Sequence, residues 1–320
     1  MDPCPICRGR GWDHFCAVAD RLRKITDQSW EILRCRSCGL GRTEPAPDEQ
    51  DLMAFYPPGY WGDVVKTVEQ FRSGQLVSAR SWRQEAEKVR LLERYLREGS
   101  LLDVGCGDGK FLWGLDSGRW RRTGVEPSRR VVQLVRERIP GIDFVIGDLY
   151  STRLRPGSFD AITFWHVLEH LPEPRRVMRR VRDLLRPGGW LIVSLPNLSS
   201  LQARIFRRHW YAFDDVPRHL FHYSPRSLAL LLKQEGFKVR DRLGFSRIIG
   251  FHCLKHSLVN WSESLFGSRA PYYSLKPILP LCALLERVVR RSGIITLVAR
   301  KLGRPRPGPE VKQSPERYVL

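Results

Sequence analysis

The chain has 320 residues, of which 42% are hydrophobic and 10% aromatic, so it can bury one large core together with a small satellite module. Its formal net charge of +20 at pH 7 indicates attraction to an anionic partner, whether nucleic acid, phosphorylated small molecule or lipid headgroup, without deciding among them. The longest apolar run of the C-terminal part, 278–285, is far shorter than the roughly 20 residues that span a bilayer, which argues against a transmembrane helix.

The N-terminal residues, MDPCPICRGRG, hold no apolar run behind a basic start, so no secretory signal is expected and the predicted location is the cytoplasm. In that reducing compartment the eight Cys residues are expected to be thiols or metal ligands rather than disulfides. Two C-x-x-C pairs are separated by residues 8–34, a spacing that suits a zinc ribbon, whereas a redox C-x-x-C needs a thioredoxin-like setting that the sequence lacks. The predicted ligands of a structural zinc ion, in a module over 1–44, are Cys4, Cys7, Cys35 and Cys38.

Beyond this module, residues 45–98 are predicted to form a linker and an N-terminal helical segment. Over 99–244 short apolar strands alternate with helical stretches, which predicts a parallel sheet with helices on both faces. The predicted strands cover 100–104, 122–126, 142–146, 159–164, 190–195 and 237–242, and the predicted helices cover 109–117, 128–137, 174–185 and 225–235. Residues 245–300 are predicted to be a helical insertion with the last strand, and 301–320 a disordered tail.

A glycine-rich loop follows the first of these strands, in the run LLDVGCGDGKF (101–111). Asp103 ends the strand, and the three glycines at alternate positions are Gly105, Gly107 and Gly109. The third glycine comes one residue too early for the G-x-G-x-x-G fingerprint of a dinucleotide, so the loop suits a ligand without a pyrophosphate. Glu126 ends the next strand, where an acid would accept hydrogen bonds from ribose hydroxyls, and Asp148 closes the third.

Five motifs occur in the order found in the class I methyltransferase family, which the chain resembles over about 100–300: DVGCGDG, GVEPS, IGDLY, FDAITFWHVLEHLPEP and LLRPGGWLIVSLPN. The resemblance implies an α/β fold with a Rossmann-like doubly wound sheet, and S-adenosylmethionine as the methyl donor. In that family the loop cradles the methionine part, the second-strand acid holds the ribose and the third-strand acid meets the adenine amine. Carried over, the cofactor-binding residues are Asp103, Gly105, Cys106, Gly107, Gly109, Glu126, Pro127, Asp148, Leu149 and His166. An empty, degenerate loop remains the alternative.

The segment His166-Val-Leu-Glu169-His170 fits H-x-x-E-H, the signature of inverted zinc peptidases. It directly follows the fourth strand, where the methyltransferase family often has a similar run, so catalytic zinc is not expected there. His166 is expected to border the sulfonium, because the carboxyl ends of the strands form the crevice. The candidate catalytic residues are His166, His219 and His222, and the base is expected to be His219 or His222, with His166 nearby. A packed aromatic and histidine cluster is the open alternative for His219 and His222.

Two motifs that this sequence lacks narrow the range of possible methyl acceptors. Amine-methylating members carry an N/D-P-P-Y/F loop after the fourth strand, where this chain has FWHVL, and cytosine C5 chemistry needs a Cys that 107–252 does not contain. These differences favour O- or C-methylation of a small-molecule, sugar or lipid-linked acceptor, while a different mode of N-methylation stays open. A looser resemblance, carried by the four Cys and the stretch from Pro47 to Pro57, is to proteins of bacterial surface-polysaccharide and sugar biosynthesis.

Three further interpretations stay open at this level. The basic charge keeps RNA methylation as the alternative enzyme function. A zinc-ribbon adaptor without catalytic activity would require an empty cofactor site. The apolar stripe of 278–289 beside Arg287, Arg290 and Arg291 predicts either core packing or peripheral contact with the anionic inner face of a membrane.

Overall fold

The computed structural model describes residues 2–21, 25–48, 52, 54–56, 79–244 and 247–303. Much of the linker predicted over 45–98 and most of the tail predicted over 301–320 lie outside these residues. The strands are β1 (Trp12–Ala19), β2 (Ser29–Cys35), β3 (Gly41–Glu44), β4 (Gly99–Val104), β5 (Trp120–Glu126), β6 (Asp143–Ile146), β7 (Phe159–Trp165), β8 (Leu185–Pro196), β9 (Phe221–His222), β10 (Phe237–Leu243) and β11 (Ile294–Lys301). The α-helices are α1 (Ala79–Glu93), α2 (Lys110–Trp113), α3 (Arg129–Arg138), α4 (Pro174–Leu184), α5 (Leu201–Phe206), α6 (Pro225–Gln234), α7 (Arg247–Phe266), α8 (Ala270–Leu275) and α9 (Leu279–Val288).

The main sheet has the strand order β10-β11-β8-β7-β4-β5-β6. The five strands from β4 to β8 run parallel, and β10 and β11 pair antiparallel at one edge. Both faces are covered: in β4, Leu102 and Val104 join one apolar cluster with α4 and α6, and Leu101 joins a second cluster with α2 and α3. This alternation with a period of two explains why the central strands are almost wholly apolar. The predicted Rossmann-like doubly wound sheet is confirmed.

Two predicted boundaries differ from the structure. The helix predicted over 109–117 is the single turn α2, because Gly109 enters it with φ of 69° and the amide of Gly118 donates to Asp116, closing a turn instead. The helix predicted over 174–185 ends at Leu184 and strand β8 begins at the next residue. The stop signal at 186–189 therefore lies inside β8, where it loops out between the pairs Phe159–Leu185 and Ala161–Trp190.

The N-terminal module is an antiparallel sheet in the order β1-β2-β3-β9. Its last strand, β9, comes from the chain that follows β8, and pairs Gly41 with His222. Gly41 is required there, because a Cβ would lie 2.7 Å from a Leu198 methyl carbon. Module residues such as Ile6 and Leu33 also share an apolar cluster with α4 and α6. The module is consequently fused to the main sheet through both backbone pairing and a common core.

Helices α7, α8 and α9 occupy the stretch between β10 and β11. Helix α7 packs against α5 and α9, and buries Cys253, Leu254 and Leu258. Helix α9 leaves several large apolar side chains exposed, with Val288 at 72% exposure. No described helix combines the length and the apolarity that crossing a membrane requires.

The packing of the glycine-rich loop on the sheet can be tested at Gly124 in β5. A Cβ at this position would lie 2.5 Å from Cys106 Sγ and 2.9 Å from a Leu112 methyl carbon. Gly124→Ala should therefore lower the free energy of unfolding by about 1–3 kcal/mol, measured by urea denaturation. Gly250→Ala in α7 is the control, because no atom lies within 4 Å of its added Cβ, and it should be neutral or stabilising. Equal stability of the two variants would contradict this packing.

Candidate active site and metal centre

The loop after β4 adopts a shape that depends on its glycines. Gly105, Gly107 and Gly109 have φ of 67°, 52° and 69°, in the left-handed region that side chains disfavour. A Cβ on Gly105 would lie 2.6 Å from a Val167 methyl carbon, whereas a Cβ on Gly107 would meet nothing within 4 Å. The loop is thus packed against the chain after β7 at its first glycine and open at its second. Gly107 is where a ligand can approach the backbone.

Glu126, at the end of β5, joins this loop to the neighbouring strand. One carboxylate oxygen accepts a hydrogen bond from the amide of Gly107 (3.2 Å), and the other accepts one from the amide of Ser128 (3.1 Å). The residue is only 2% exposed, and this burial raises its pKa to about 7. Each oxygen keeps a second lone pair that could accept a ligand hydroxyl.

Two other predicted cofactor residues lie beneath the loop. Asp103 is buried between β4 and β7 and accepts a hydrogen bond from the hydroxyl of Thr163 at 2.6 Å. Burial raises its pKa to about 7. Cys106 packs its sulfur over Gly124, so its side chain points into the sheet interior. The side chains of Asp103 and Cys106 therefore support the loop from below.

The turn after β6 holds the predicted adenine-side residues. Asp148 Oδ1 accepts the amides of Tyr150 and Ser151, both at 2.6 Å, so this carboxylate closes the turn. Leu149 is buried in the apolar cluster with α4, and Pro127 is half-buried beside Glu126. The structure thus brings the predicted acids to the carboxyl edge of adjacent strands β4, β5 and β6.

His166 is the first residue after β7 and has φ of 60°, an uncommon conformation for a residue other than glycine. Its amide donates to the carbonyl of Ser194 in β8 (2.9 Å), which fixes this turn. Its Nδ1 lies 3.6 Å from Oε1 of Glu169, and its side chain is 30% exposed. Among the three predicted catalytic histidines it is the most accessible.

Glu169 is a buried carboxylate surrounded by imidazoles. It lies in a 3-10 turn (Leu168–His170), is 1% exposed, and neither of its oxygens has a hydrogen-bond partner among the described residues. Burial raises its pKa, but the charges of His166, His219 and His170 outweigh this effect and the net pKa is lowered. His170 shows the opposite balance, because burial and the charge of His219 lower its pKa to about 4. The sequence signal for Glu169 was the H-x-x-E-H run, in which its role as the centre of a cluster was not recognised.

His219 and His222 follow α5 in the chain and are 6% and 3% exposed. The ring of His219 bonds through Nδ1 to the carbonyl of Ala212 (2.8 Å), and its Nε2 lies 4.0 Å from Oε1 of Glu169. His222 contacts the hydroxyl of Thr43 through Nε2 (3.1 Å), and burial lowers its pKa well below the usual value. Both belong to a packed aromatic and histidine cluster that includes Phe213, so their catalytic role stays a prediction.

The H-x-x-E-H segment does not have the geometry of a zinc-peptidase helix. The backbone of His166 lies in the left-handed region and the turn that follows is a 3-10 turn, so the two motif histidines do not share one helical face. The groups whose ligand atoms lie within 4.8 Å of one another are Glu169, His170 and His219, which include one motif histidine only. This arrangement differs from the peptidase pattern, in which both histidines bind the metal.

The four N-terminal thiols converge at one point of the module. Sγ atoms of Cys4 and Cys38 are 3.6 Å apart, those of Cys7 and Cys35 are 3.5 Å apart, and all four lie within 4.8 Å of one another. Zn–S bonds of about 2.3 Å in a tetrahedron would separate the sulfurs by about 3.8 Å, which matches this geometry. The four Cys are free thiols. The residues therefore fit a tetrahedral metal with no position left for water.

Comparison with known proteins assigns the chain to a class. The sequence model of a family described as a methyltransferase domain matches residues 75–241, slightly more than half of the chain. The crystal structure of the cyclase SpnF, which is 22% identical to this chain in sequence, superposes with a TM-score of 0.50. The match covers 80% of this chain and 97% of SpnF, which shows that the two proteins share a fold. The chain belongs to the class I S-adenosylmethionine-dependent methyltransferase family.

Two curated relatives share sequence with the chain. It is 36% identical over 159 residues to the ubiquinone biosynthesis O-methyltransferase of Chromobacterium violaceum, a match covering 45% of this chain and 66% of that protein. It is 32% identical over 154 residues to an uncharacterised 37.1 kDa protein in transposon TN4556 of Streptomyces fradiae, covering 44% of each. The chain thus spans between about half and two thirds of the curated relatives it matches.

Proposed function

We propose that this chain transfers the methyl group of S-adenosylmethionine to an oxygen or carbon atom of a small-molecule acceptor. The observation that carries the proposal is the left-handed glycine loop joined by Glu126 to the next strand, with Gly107 open to a ligand. The ubiquinone O-methyltransferase relative supports a hydroxyl as the acceptor group.

The residues present fit this cofactor. The open backbone at Gly107 would receive the methionine part, Glu126 would accept the ribose hydroxyls, and Asp148 with Leu149 and Pro127 would border the adenine. Bound S-adenosylmethionine supplies a methyl group on a positive sulfur. The chain's own task is to orient the acceptor and to remove its proton.

Changing Glu126 tests the cofactor site and its pH dependence. Because an ionised carboxylate accepts the ribose hydroxyls, affinity for S-adenosylmethionine should rise with pH through the Glu126 pKa of about 7. Glu126→Gln should weaken binding about tenfold at pH 8 and flatten this rise, measured by calorimetric titration between about pH 6 and pH 8. Any remaining slope belongs to Asp103, which has a similarly raised pKa.

Glu137→Gln is the matched control for that measurement, because Glu137 is an exposed residue of α3. It should bind the cofactor as the unchanged chain does. Undiminished binding by the Glu126 variant, or no binding by the unchanged chain at millimolar cofactor, would refute the site.

We assign the proton-accepting role to His166. Its Nδ1 faces the buried carboxylate of Glu169, so Nδ1 would carry the proton and Nε2 would be left to accept one from the acceptor hydroxyl. Nε2 of His166 would accept the proton of the acceptor hydroxyl while its oxygen takes the methyl group that bound S-adenosylmethionine would supply. Glu169 would stabilise the resulting imidazolium. His219, whose Nε2 lies 4.0 Å from the same Glu169 oxygen, and His222 remain the other candidates.

His166→Gln should lower kcat by about 100-fold with a smaller change in cofactor affinity, because it removes the proton acceptor while Glu126 and the glycine loop remain to hold the cofactor. Single-turnover rates at saturating cofactor measure this for the histidine variants. His222→Gln is expected to change the rate less, since Nε2 of His222 already contacts the hydroxyl of Thr43. His14→Gln, at an exposed module residue, is the control. An unchanged rate for His166→Gln would remove His166 from the mechanism.

The acceptor is proposed to be a sugar, a lipid-linked intermediate or another anionic small molecule, in surface-polysaccharide or secondary-metabolite biosynthesis. A lipid-linked acceptor at an anionic membrane face would also account for the exposed apolar residues of α9. RNA methylation is the second candidate, favoured by the net charge of +20. Uptake of labelled methyl into nucleotide sugars, lipid-linked sugars or RNA would separate these acceptors.

We further propose that Cys4, Cys7, Cys35 and Cys38 hold a structural zinc ion, as the sulfur geometry permits. The unchanged protein should contain about one zinc per chain, and Cys38→Ser should lose most of it and melt at a lower temperature, because ligand loss unfolds such modules. Cys282→Ser, at a half-buried Cys of α9, should keep the metal. Metal analysis and thermal denaturation of these proteins test the proposal. A wild-type protein that is folded without zinc would exclude a structural zinc ion.

A further inference from the structure

A cleft of about 470 Å³ opens between the N-terminal module and the main sheet, and none of its lining residues belongs to the glycine loop. Its wall includes the two module cysteines Cys35 and Cys38, the start of α6 and the residues just before β11. Six arginines from five separate parts of the chain line it: Arg34, Arg36, Arg204, Arg226, Arg242 and Arg291. This is an unusual concentration of one charge around a concave surface.

The cleft holds almost no compensating acid. Its lining includes Asp13, which pairs with Arg36 at 2.6 Å. The other five arginines have no carboxylate within 4.0 Å in the described parts of the chain. A zinc ion with four thiolates would add about two negative charges nearby, which still leaves about three positive charges uncompensated. Such a cluster attracts anions.

The position of the cleft relates it to the active site. Arg291 precedes β11 and Arg242 lies near the end of β10, where these antiparallel strands meet the carboxyl end of β8. Ser199, just beyond β8, also lines the cleft. The cleft therefore opens at the carboxyl ends of the parallel strands, as the glycine loop does. The N-terminus of α6, capped by Ser224, faces it and adds a favourable dipole for an anion.

We propose that this cleft binds the phosphate or diphosphate group of the methyl acceptor. Planar guanidinium groups form paired hydrogen bonds with phosphate oxygens, and about three uncompensated positive charges are enough to neutralise a diphosphate ester, which carries about two or three negative charges. The assignment of the phosphate to the acceptor rests on the proposed methyl transfer, whereas anion binding by the cleft does not. Two sources share this chemistry: a nucleoside diphosphate sugar and a lipid-linked diphosphate.

The test is calorimetric titration with inorganic pyrophosphate at about 0.15 M salt. The unchanged protein should bind with saturation, and R226Q/R291Q should bind at least about tenfold more weakly because two phosphate contacts are lost. R204Q/R242Q is a second cleft variant, and it should show the same loss. R94Q/R97Q removes the same charge at exposed positions before β4, at the amino ends of the parallel strands, opposite to the end where the cleft opens. This control should bind pyrophosphate within about twofold of the unchanged protein.

S-adenosylmethionine affinity, measured in all four proteins, should be equal and reports an intact fold. Tighter binding of uridine diphosphate than of pyrophosphate would support the cleft and assign a nucleotide-linked acceptor, and tighter binding of geranyl diphosphate would support it and assign a lipid-linked one. Absence of saturable pyrophosphate binding, or equal affinity in the cleft and control variants, overturns the proposal. So does single-stranded RNA binding that needs Arg226 and Arg291 while pyrophosphate fails to bind. Because pyrophosphate titration requires no turnover, a failed methyl-transfer assay leaves this result interpretable.

Discussion

The candidate active site depends on one buried carboxylate. Glu126 ends β5 at the same level as the loop after β4, and its two oxygens hold the amides of Gly107 and Ser128. Burial makes this group costly to ionise, and the backbone amides offset part of that cost. Glu126 therefore helps to hold the loop with its open glycine face, together with the backbone hydrogen bonds from Gly105 and Cys106 to Val125.

A second buried acid organises the chain beyond β7. Neither oxygen of Glu169 accepts a hydrogen bond from a described residue, and His166 and His219 both approach its Oε1, at 3.6 and 4.0 Å. Its neighbour His219 lies just before β9, the strand that completes the sheet of the N-terminal module. The module thus borders the histidine cluster through the pairing of β3 with β9.

Sequence patterns predicted the sheet well because buried parallel strands must be apolar on both faces, as Leu101 and Leu102 illustrate. Boundaries were less predictable. The Arg186–Gly189 run resembles a helix stop, yet neighbouring β7 recruits the chain on both sides of it into one bulged strand. Likewise, the turn at Asp116 cut α2 to one turn, since a local hydrogen bond competed with helix continuation.

The amino-acid order by itself determined the family, the glycine loop and the two C-x-x-C pairs, because each depends on residues close together in the chain or on a fixed spacing. Only the tertiary structure decided that Glu169 is buried among histidines, that His219 and His222 are enclosed, and that arginines from five segments surround one cleft. Burial and the summed field of distant charges arise when remote segments pack together, so no local pattern contains them.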